Sequence, residues 1–401
     1  MAVTENLPAL PFGRSHVLEI APLYLALLQG DQAIRRVRTP AGDEGWLVLR
    51  HEEIRTLLAN ADLGRTHADR ERAARFTDAA IVGGPMEGDP ETEKADHNRL
   101  RMVQNRSFSV RRMEALRPRV QAIVDDLLDD LTARTPPADL HEAFSFPLPV
   151  LVICELLGVP YEDRGRFRTW SDGAVVLDDR EAAMASLQEL NEYISGLVAR
   201  RRREGRGEDV ISDLIQAADD EGRLSEDEIV MLAGGLLFAG HETTVARIDL
   251  GALLLLTHPE QRELLQRDPS LAPSAVEEIL RFSTTTIGIA PRYALADIEI
   301  AGVTIRTGDL VLLALDACNR DERAFADPGR FDITRERNPH VSFGHGFRFC
   351  LGAPLARVEL QTVFGTLFRR LPDLQLAVPA ERIRERSHLL TGGVEELPVT
   401  W

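Results

Sequence analysis

Cysteine is scarce in this sequence. Three are spread over 401 residues, Cys154, Cys318 and Cys350, and no two are spaced as C-x-x-C. That argues against a disulfide framework or a zinc site as organising device, and isolated thiols suit a reducing compartment. Lysine is scarcer still: Lys94 stands alone, and arginine supplies every other long basic side chain. GC-rich coding produces such a bias, and it carries no mechanistic weight. Long apolar runs are missing too. The N-terminal MAVTENLPALPFGRSHVLEI has no basic stretch followed by a continuous apolar core, which argues against a signal peptide. Runs such as GGLLFAGHETT are broken by charge short of the roughly 20 residues that cross a bilayer. The expectation is a cytoplasmic protein with no membrane segment. Positive charge is in deficit, and a formal net charge of -17 argues against a broad nucleic-acid surface.

No linker, internal repeat or low-complexity tract divides the chain, so residues 1–401 read as a single domain. The pattern is mainly α with small β-sheets. IRRVRTPAGDEGWLVLR alternates around a turn and reads as a hairpin. Little periodicity follows from Arg65 to Asp96, a long loop of the kind that is often functional. Apolar residues then recur at three- and four-residue spacing in ALRPRVQAIVDDLLDDL, ASLQELNEYISGLVARRRR and DVISDLIQAADD. Ser225 and Glu228 form a capping box. From there one helix reaches about Leu255, apolar on nearly all sides and therefore expected to cross the interior. A second helix, SAVEEILRF, the strands DIEIAGVTI and DLVLLAL, and a proline-punctuated loop to His340 follow. A final helix carries Pro354 in its first turn.

What is present gathers around Cys350, in HVSFGHGFRFCLGAPLAR. Cys154 and Cys318 read as small core hydrophobes. Cys350 instead sits among Gly344, Gly346 and Gly352, which allow unusual backbone angles and close approach to a flat partner. Phe343, Phe347 and Phe349 supply apolar walls. A helix begins just after it, and the positive end of a helix favours a thiolate. A thiolate in an apolar, glycine-shaped bay suits a soft metal centre. In the long helix, AGHETT places Gly240 in mid-helix at a cost of about 1 kcal/mol against alanine. Thr243 is spaced to bond the carbonyl of Ala239 and bend the helix, opening a groove flanked by the Glu242 carboxyl and the Thr243 hydroxyl. A packing notch of small residues explains the same pattern equally well.

The segment FGHGFRFCLG, matching Phe-Gly-x-Gly-x-x-x-Cys-x-Gly, resembles the haem loop of the cytochrome P-450 haem-thiolate monooxygenases, in which a cysteine thiolate favours O–O cleavage. The resemblance runs from the hairpin near Arg35 to ELPVTW at the end. It implies the cytochrome P-450 fold, with the long helix distal to a buried haem and the cysteine loop on the proximal side. It implies Cys350 as the axial iron ligand of haem b (iron protoporphyrin IX). His97 and Arg101 of DHNRLR, Arg292 and Arg348 are the implied propionate donors. Arg348 stands where soluble bacterial members often carry histidine. Phe343, Gly344, Gly346, Gly352, Ala239 and Gly240 are implied haem contacts. Glu278 and Arg281 of EEILR, with Arg335, match a structural network behind the haem. Glu242 and Thr243 match the pair that manages proton delivery, Thr243 as the hydrogen-bonding group at the haem and Glu242 as the link to solvent.

The implied activity is insertion of one oxygen atom from O2 into a C–H bond, and the look is that of actinobacterial macrolide and polyketide hydroxylases. Epoxidation or oxidative coupling uses the same iron chemistry. A haem-binding protein without turnover has no reason to keep Glu242 and Thr243 together. No reductase or ferredoxin module is fused, so electrons are expected from NAD(P)H through an external ferredoxin reductase and ferredoxin. The basic segment with Arg99, Arg106, Arg111 and Arg112 is the implied dock. Substrate contacts are expected at Val82, Val176, Ala239, Thr286, Ile289 and Leu390, and the family's common state is a monomer.

Overall fold

The computed structural model describes residues 7–401 other than 80, 82, 175, 178 and 287; at 161, 164, 167, 168, 171 and 172 it describes the backbone alone. Helices dominate and the sheets are small, as the periodicities predict. The hairpin forms from Ile34–Arg38 and Glu44–Val48, antiparallel with Arg36 opposite Trp46. Its second strand pairs in parallel with Leu310–Ala314, Trp46 facing Val311 and Val48 facing Leu313. Ile289–Ala294 and then Leu63–Gly64 complete a five-stranded sheet. Every residue of Leu310–Ala314 is buried, which is why that strand reads as a continuous apolar run rather than an alternation.

The long helix spans Glu226–Thr257. Its capping box is complete: the Glu228 amide donates to Ser225 Oγ at 3.2 Å, and the Ser225 amide donates to the Glu228 carboxylate at 2.9 Å. Nearly all of its C-terminal half is buried, from Thr244 to Leu255 with Arg247 the exception. It contains an 18-residue window of mean hydropathy 1.4, long and apolar enough by composition alone to cross a membrane, and 56% of that window is buried inside the fold, as in a core helix. Gly251 explains how tightly this helix is held. A Cβ there would lie 2.4 Å from Phe364 of the last helix (Ala353–Arg370) and 2.9 Å from Ile279 of the helix Ala272–Phe282.

Two elements were illegible in the sequence. The loop after Arg65 ends earlier than expected, because a helix, Glu93–Ser107, begins inside it. Glu93 accepts hydrogen bonds from the Arg65 and Thr66 amides at 2.9–3.0 Å and so ties the helix start to the sheet edge. His141–Ser145 forms a π-helical turn, and all its residues but Glu142 are buried.

Candidate active site

The cysteine loop is built by two left-handed glycines. Gly344 has φ +73°, and Gly346 has φ +72° with its missing Cβ position 2.8 Å from Ala59 Cα and 2.9 Å from the Leu58 carbonyl. No other residue satisfies both demands at Gly346. Gly352 is in ordinary right-handed helical conformation, φ -77°, so the expectation of an unusual angle there is corrected. The Cys350 amide donates to the Phe343 carbonyl at 2.8 Å and closes the loop. The Sγ opens onto a cavity of about 410 Å³. Burial among neighbouring atoms raises the thiol above its ordinary pKa; the Gly352 and Ala353 amides at the start of the last helix, with Arg101 and Arg357, pull the other way. Phe343 lines the cavity, whereas Phe347 packs edge-on against His97 and Phe349 is 38% exposed. The loop therefore has one aromatic wall rather than three.

Opposite the cysteine, the long helix presents Ala239, Gly240, Thr243, Thr244 and Arg247 to the same cavity. Thr243 Oγ1 donates to the Ala239 carbonyl at 2.8 Å, and Thr244 Oγ1 approaches the Gly240 carbonyl at 3.3 Å. A Cβ on Gly240 would lie 2.9 Å from the tip of Ile153, so the glycine serves close packing as well as the groove. Glu242 is buried beside the cavity. Its Oε2 accepts from Thr391 at 3.3 Å and lies 3.7 Å from Arg386 Nη1.

Near the sheet edge stand Arg65, Arg292 and Arg348, close enough to act on one another. Arg348 pairs with Glu93, and Arg292 donates to the Pro291 carbonyl at 2.7 Å. Burial first, then repulsion from Arg65 and Arg348, pushes Arg292 down to about 9. One carboxylate among three guanidiniums leaves positive charge uncompensated. Behind the cysteine loop, Glu278 is fully buried. It accepts from Arg281 at 2.7 and 2.8 Å, Arg335 at 3.1 Å, Asn338 at 3.0 Å and the Asp332 amide at 2.9 Å.

A family model described as Cytochrome P450 matches residues 175–372. Pentalenolactone synthase of Streptomyces exfoliatus is 45% identical over 99% of this chain and 100% of its own length. The mycinamicin IV hydroxylase/epoxidase of Micromonospora griseorubida is 42% identical over 98% of each chain. Among solved structures, substrate-free cytochrome P450 PimD, an epoxidase of the polyene macrolide pimaricin, superposes with TM-score 0.88 at 41% identity, over 99% of this chain and 100% of its own. The chain belongs to the cytochrome P450 family. It is a P450 monooxygenase, dependent on haem and O2.

The residues present fit a haem. A thiol faces a bay walled by Phe343, Leu351 and Leu355, and the arginine excess meets the need of two propionates. His97 Nδ1 and Arg348 Nε are buried without a hydrogen-bond partner among the described residues; the guanidinium Nε is a donor available to an anion, and His97 Nδ1 is one in the tautomer that carries its proton there. Arg101 Nε bonds Asn105 at 2.9 Å, and the cysteine's charge acts on it.

Of the expected substrate contacts, Ala239 and Ile289 line the P450 cavity. Thr286 instead bonds Glu385 at 3.0 Å; its neighbour Thr285 lines the cavity in its place. Leu390 likewise yields to Thr391. Val176 forms a β-bridge with Leu389, outside the named cavity wall. Val82 lies outside the described residues. In the basic segment, Arg99 pairs with Glu228 at 2.6 Å, Arg106 with Glu221 at 2.6 Å and Arg112 with Asp213, all three arginines remaining partly exposed. Arg111 has no such ion pair among the described residues.

Sequence reasoning missed Arg65, Glu93, Arg247, Glu359, Arg386 and Thr391. Glu359 was within reach: it falls nine residues after Cys350, on the buried face of the last helix. Burial pushes its carboxyl well above the ordinary value. Arg247, one turn beyond Thr243, donates to the Ser283 carbonyl at 2.9 Å. Arg65, Arg386 and Thr391 come from distant loops and Glu93 from the first residue of a helix, and no local pattern marks them.

Proposed function

We propose that this P450 hydroxylates a secondary metabolite, a polyketide or macrolide intermediate, with Cys350 as the iron ligand. The observation that carries the reading is the cavity itself: Cys350 on one wall, Thr243 on the other, and mostly apolar or small side chains between them, Phe108, Ile153, Leu236 and Ile289 among these. Such a lining suits a large, moderately apolar substrate. When bound, haem supplies oxygen activation: one atom of O2 enters the substrate C–H bond and the other leaves as water, with two electrons and two protons consumed. The chain's own residues do the rest. His97, Arg101, Arg292 and Arg348 hold the propionates, Phe343, Gly344, Gly346, Gly352, Ala239 and Gly240 pack against the porphyrin, and Glu278, Arg281 and Arg335 brace the loop. The apolar wall orients substrate and excludes water. Thr243 Oγ1, its own proton committed to the Ala239 carbonyl, accepts a hydrogen bond from the cavity, and Glu242 holds a proton on the solvent side.

The whole chain acts as one catalytic domain, a cytoplasmic monomer in this reading. Electrons come from NAD(P)H through a ferredoxin and its reductase. Arg111 and the exposed Val110 beside it, on a helix packed against the cysteine helix, support a dock there rather than at Arg99, Arg106 or Arg112. Epoxidation is the second reading, supported by the relative named a hydroxylase/epoxidase.

The test is the carbon monoxide spectrum of the reduced protein, for wild type and Cys350→Ser. A red-shifted Soret band, lost in the variant, supports thiolate ligation by Cys350. A carbonyl band without that shift, or no haem, overturns the proposal. Macrolactones and linear polyketides are then screened for displacement of the distal water.

A further inference from the structure

The cavity contains a charged group that the reaction as described leaves unused. Arg247 lies one turn beyond Thr243 on the long helix and lines the same cavity. Protein encloses it, and the surface it keeps belongs to the cavity wall. Its Nη1 is committed, donating to the Ser283 carbonyl at 2.9 Å and also to Ser283 Oγ. Ser283 caps the C-terminal end of the helix Ala272–Phe282, where a cation is favoured. These bonds account for a cation at this position and fix the plane of its guanidinium. They leave Nε and Nη2 without a hydrogen-bond partner among the described residues.

Nε and Nη2 are the side-on fork of a guanidinium, two parallel N–H bonds that match the two oxygens of a carboxylate. Elsewhere in this chain that fork does take a carboxylate. Arg281 sets it on Glu278 at 2.8 and 2.7 Å, and Arg357 on Glu277 at 2.7 and 2.9 Å. Arg117 sets it on Glu114, both bonds at 2.8 Å. In Arg247 the fork is open. Asp316 shares the cavity wall and its charge acts on Arg247, yet the two form no ion pair among the described residues. The Asp316 carboxylate is engaged by Thr285, accepting from its amide at 2.7 Å and its hydroxyl at 3.2 Å. Burial lowers the Arg247 pKa, and the charge of Asp316 works against that loss without cancelling it. The charges acting on Arg292 are those of Arg65, Arg348 and Glu93, a separate set from the one at Arg247. The fork therefore stands apart from the arginines that meet the propionates. An apolar substrate that filled the cavity would strip these two donors of solvent, a costly state unless the substrate itself brings an acceptor.

We propose that Arg247 is a specificity-determining residue: its Nε–Nη2 fork takes a carboxylate carried by the substrate, so that the metabolite enters as a free acid and is held by that end while its apolar body lies along the cavity. The inference rests on the reading of this cavity as the substrate site. It narrows the substrate class to intermediates that keep a carboxylate, and it makes the distance from that carboxylate the measure of which carbon is oxidised.

The test uses the ferric holoenzyme and a series of imidazoles substituted on nitrogen with straight alkyl chains of increasing length. Each chain ends in a methyl group, a primary alcohol or a carboxylic acid. The imidazole ligates the iron and shifts the Soret band to the red, so each titration reports binding in this cavity without turnover. At the length that reaches Arg247, the acid binds wild type at least about tenfold more tightly than the alcohol. In Arg247→Leu the acid binds no better than the alcohol, while the methyl-ended probe keeps its affinity. Should Arg247→Leu fail to hold haem, Arg247→Gln, which can still donate to Ser283, decides in its place. No preference for the acid at any length overturns the inference, and so does a preference that survives loss of the guanidinium. Equal weakening of all three probes also overturns it, since that is the mark of a merely structural arginine. If the methyl-ended probes give no red shift at any length, the reading of the cavity as the substrate site fails, and this inference fails with it.

Discussion

The hydroxyl of Thr243 donates its proton to the carbonyl of Ala239, four residues back, at 2.8 Å. The hydrogen bond fixes the rotamer and leaves the oxygen lone pairs toward the cavity. Thr243→Ala therefore keeps fold and carbon monoxide spectrum, with stability changed by less than about 1 kcal/mol as better helix propensity offsets the lost bond. Product formed per NADH falls by at least about tenfold, and hydrogen peroxide replaces it. Thr243→Ser recovers much of the coupling. Parallel assays of product, peroxide and NADH check this.

Glu278 accepts five hydrogen bonds while fully buried, and Arg281 also donates to the carbonyls of Asn319, Pro328 and Arg330. Glu278→Ala leaves Arg281 as a buried charge without its counter-ion. The expected loss is about 3–5 kcal/mol of stability together with haem retention, read from urea unfolding and the haem-to-protein ratio. Arg335→Ala, at the rim of the network, costs less in both measurements.

The edge formed by Arg65, Arg292 and Arg348 against Glu93 carries excess positive charge. Removing haem should lower the unfolding temperature, and pyrophosphate should restore part of it by replacing the propionate charge. Arg292→Leu makes haem pass to apomyoglobin at least about tenfold faster while the apoprotein becomes more stable. Stopped-flow haem transfer and calorimetry of the apoprotein read the two effects separately.

Glu277 gives an acid-side prediction. Burial alone would raise its carboxyl, but two bonds from Arg357, at 2.7 and 2.9 Å, and one from His340, at 3.0 Å, outweigh it and bring the pKa from 4.5 to about 2. In the unfolded chain the group takes up a proton near 4.5, while the folded chain resists until about 2. The stabilisation is thus complete above pH 4.5 and disappears as pH falls through 2; it amounts to at most about 3 kcal/mol. Glu277→Gln removes this part of the acid dependence, which chemical denaturation from pH 6 to pH 3 measures.

Helices, hairpin and capping box were legible because each rests on neighbours a few residues apart. Ser225 meets Glu228 within one turn, and Thr243 meets Ala239 the same way. The cysteine loop was legible because its glycines and Cys350 lie in a single run. The counterparts from other segments were not. Arg386 reaches Glu242 from far along the chain, and Glu93 meets Arg348 only once the sheet edge and cysteine loop are in place. Arg99, Arg106 and Arg112 looked like an open basic face, yet their carboxylate partners come from segments more than 90 residues later. Spacing reports faces of helices; it does not report which distant face arrives opposite.

The parallel pairing of Trp46–Val48 with Val311–Leu313 joins strands more than half the chain apart. During synthesis the first strand emerges roughly 15–50 s before its partner exists, and Arg65 and His97 wait about as long for Cys350. The hairpin must survive that interval with one hydrogen-bonding edge unsatisfied, and closing so long a loop is slow. Haem capture is therefore a late event in the life of each molecule, and a shortage of haem acts on chains already released from the ribosome.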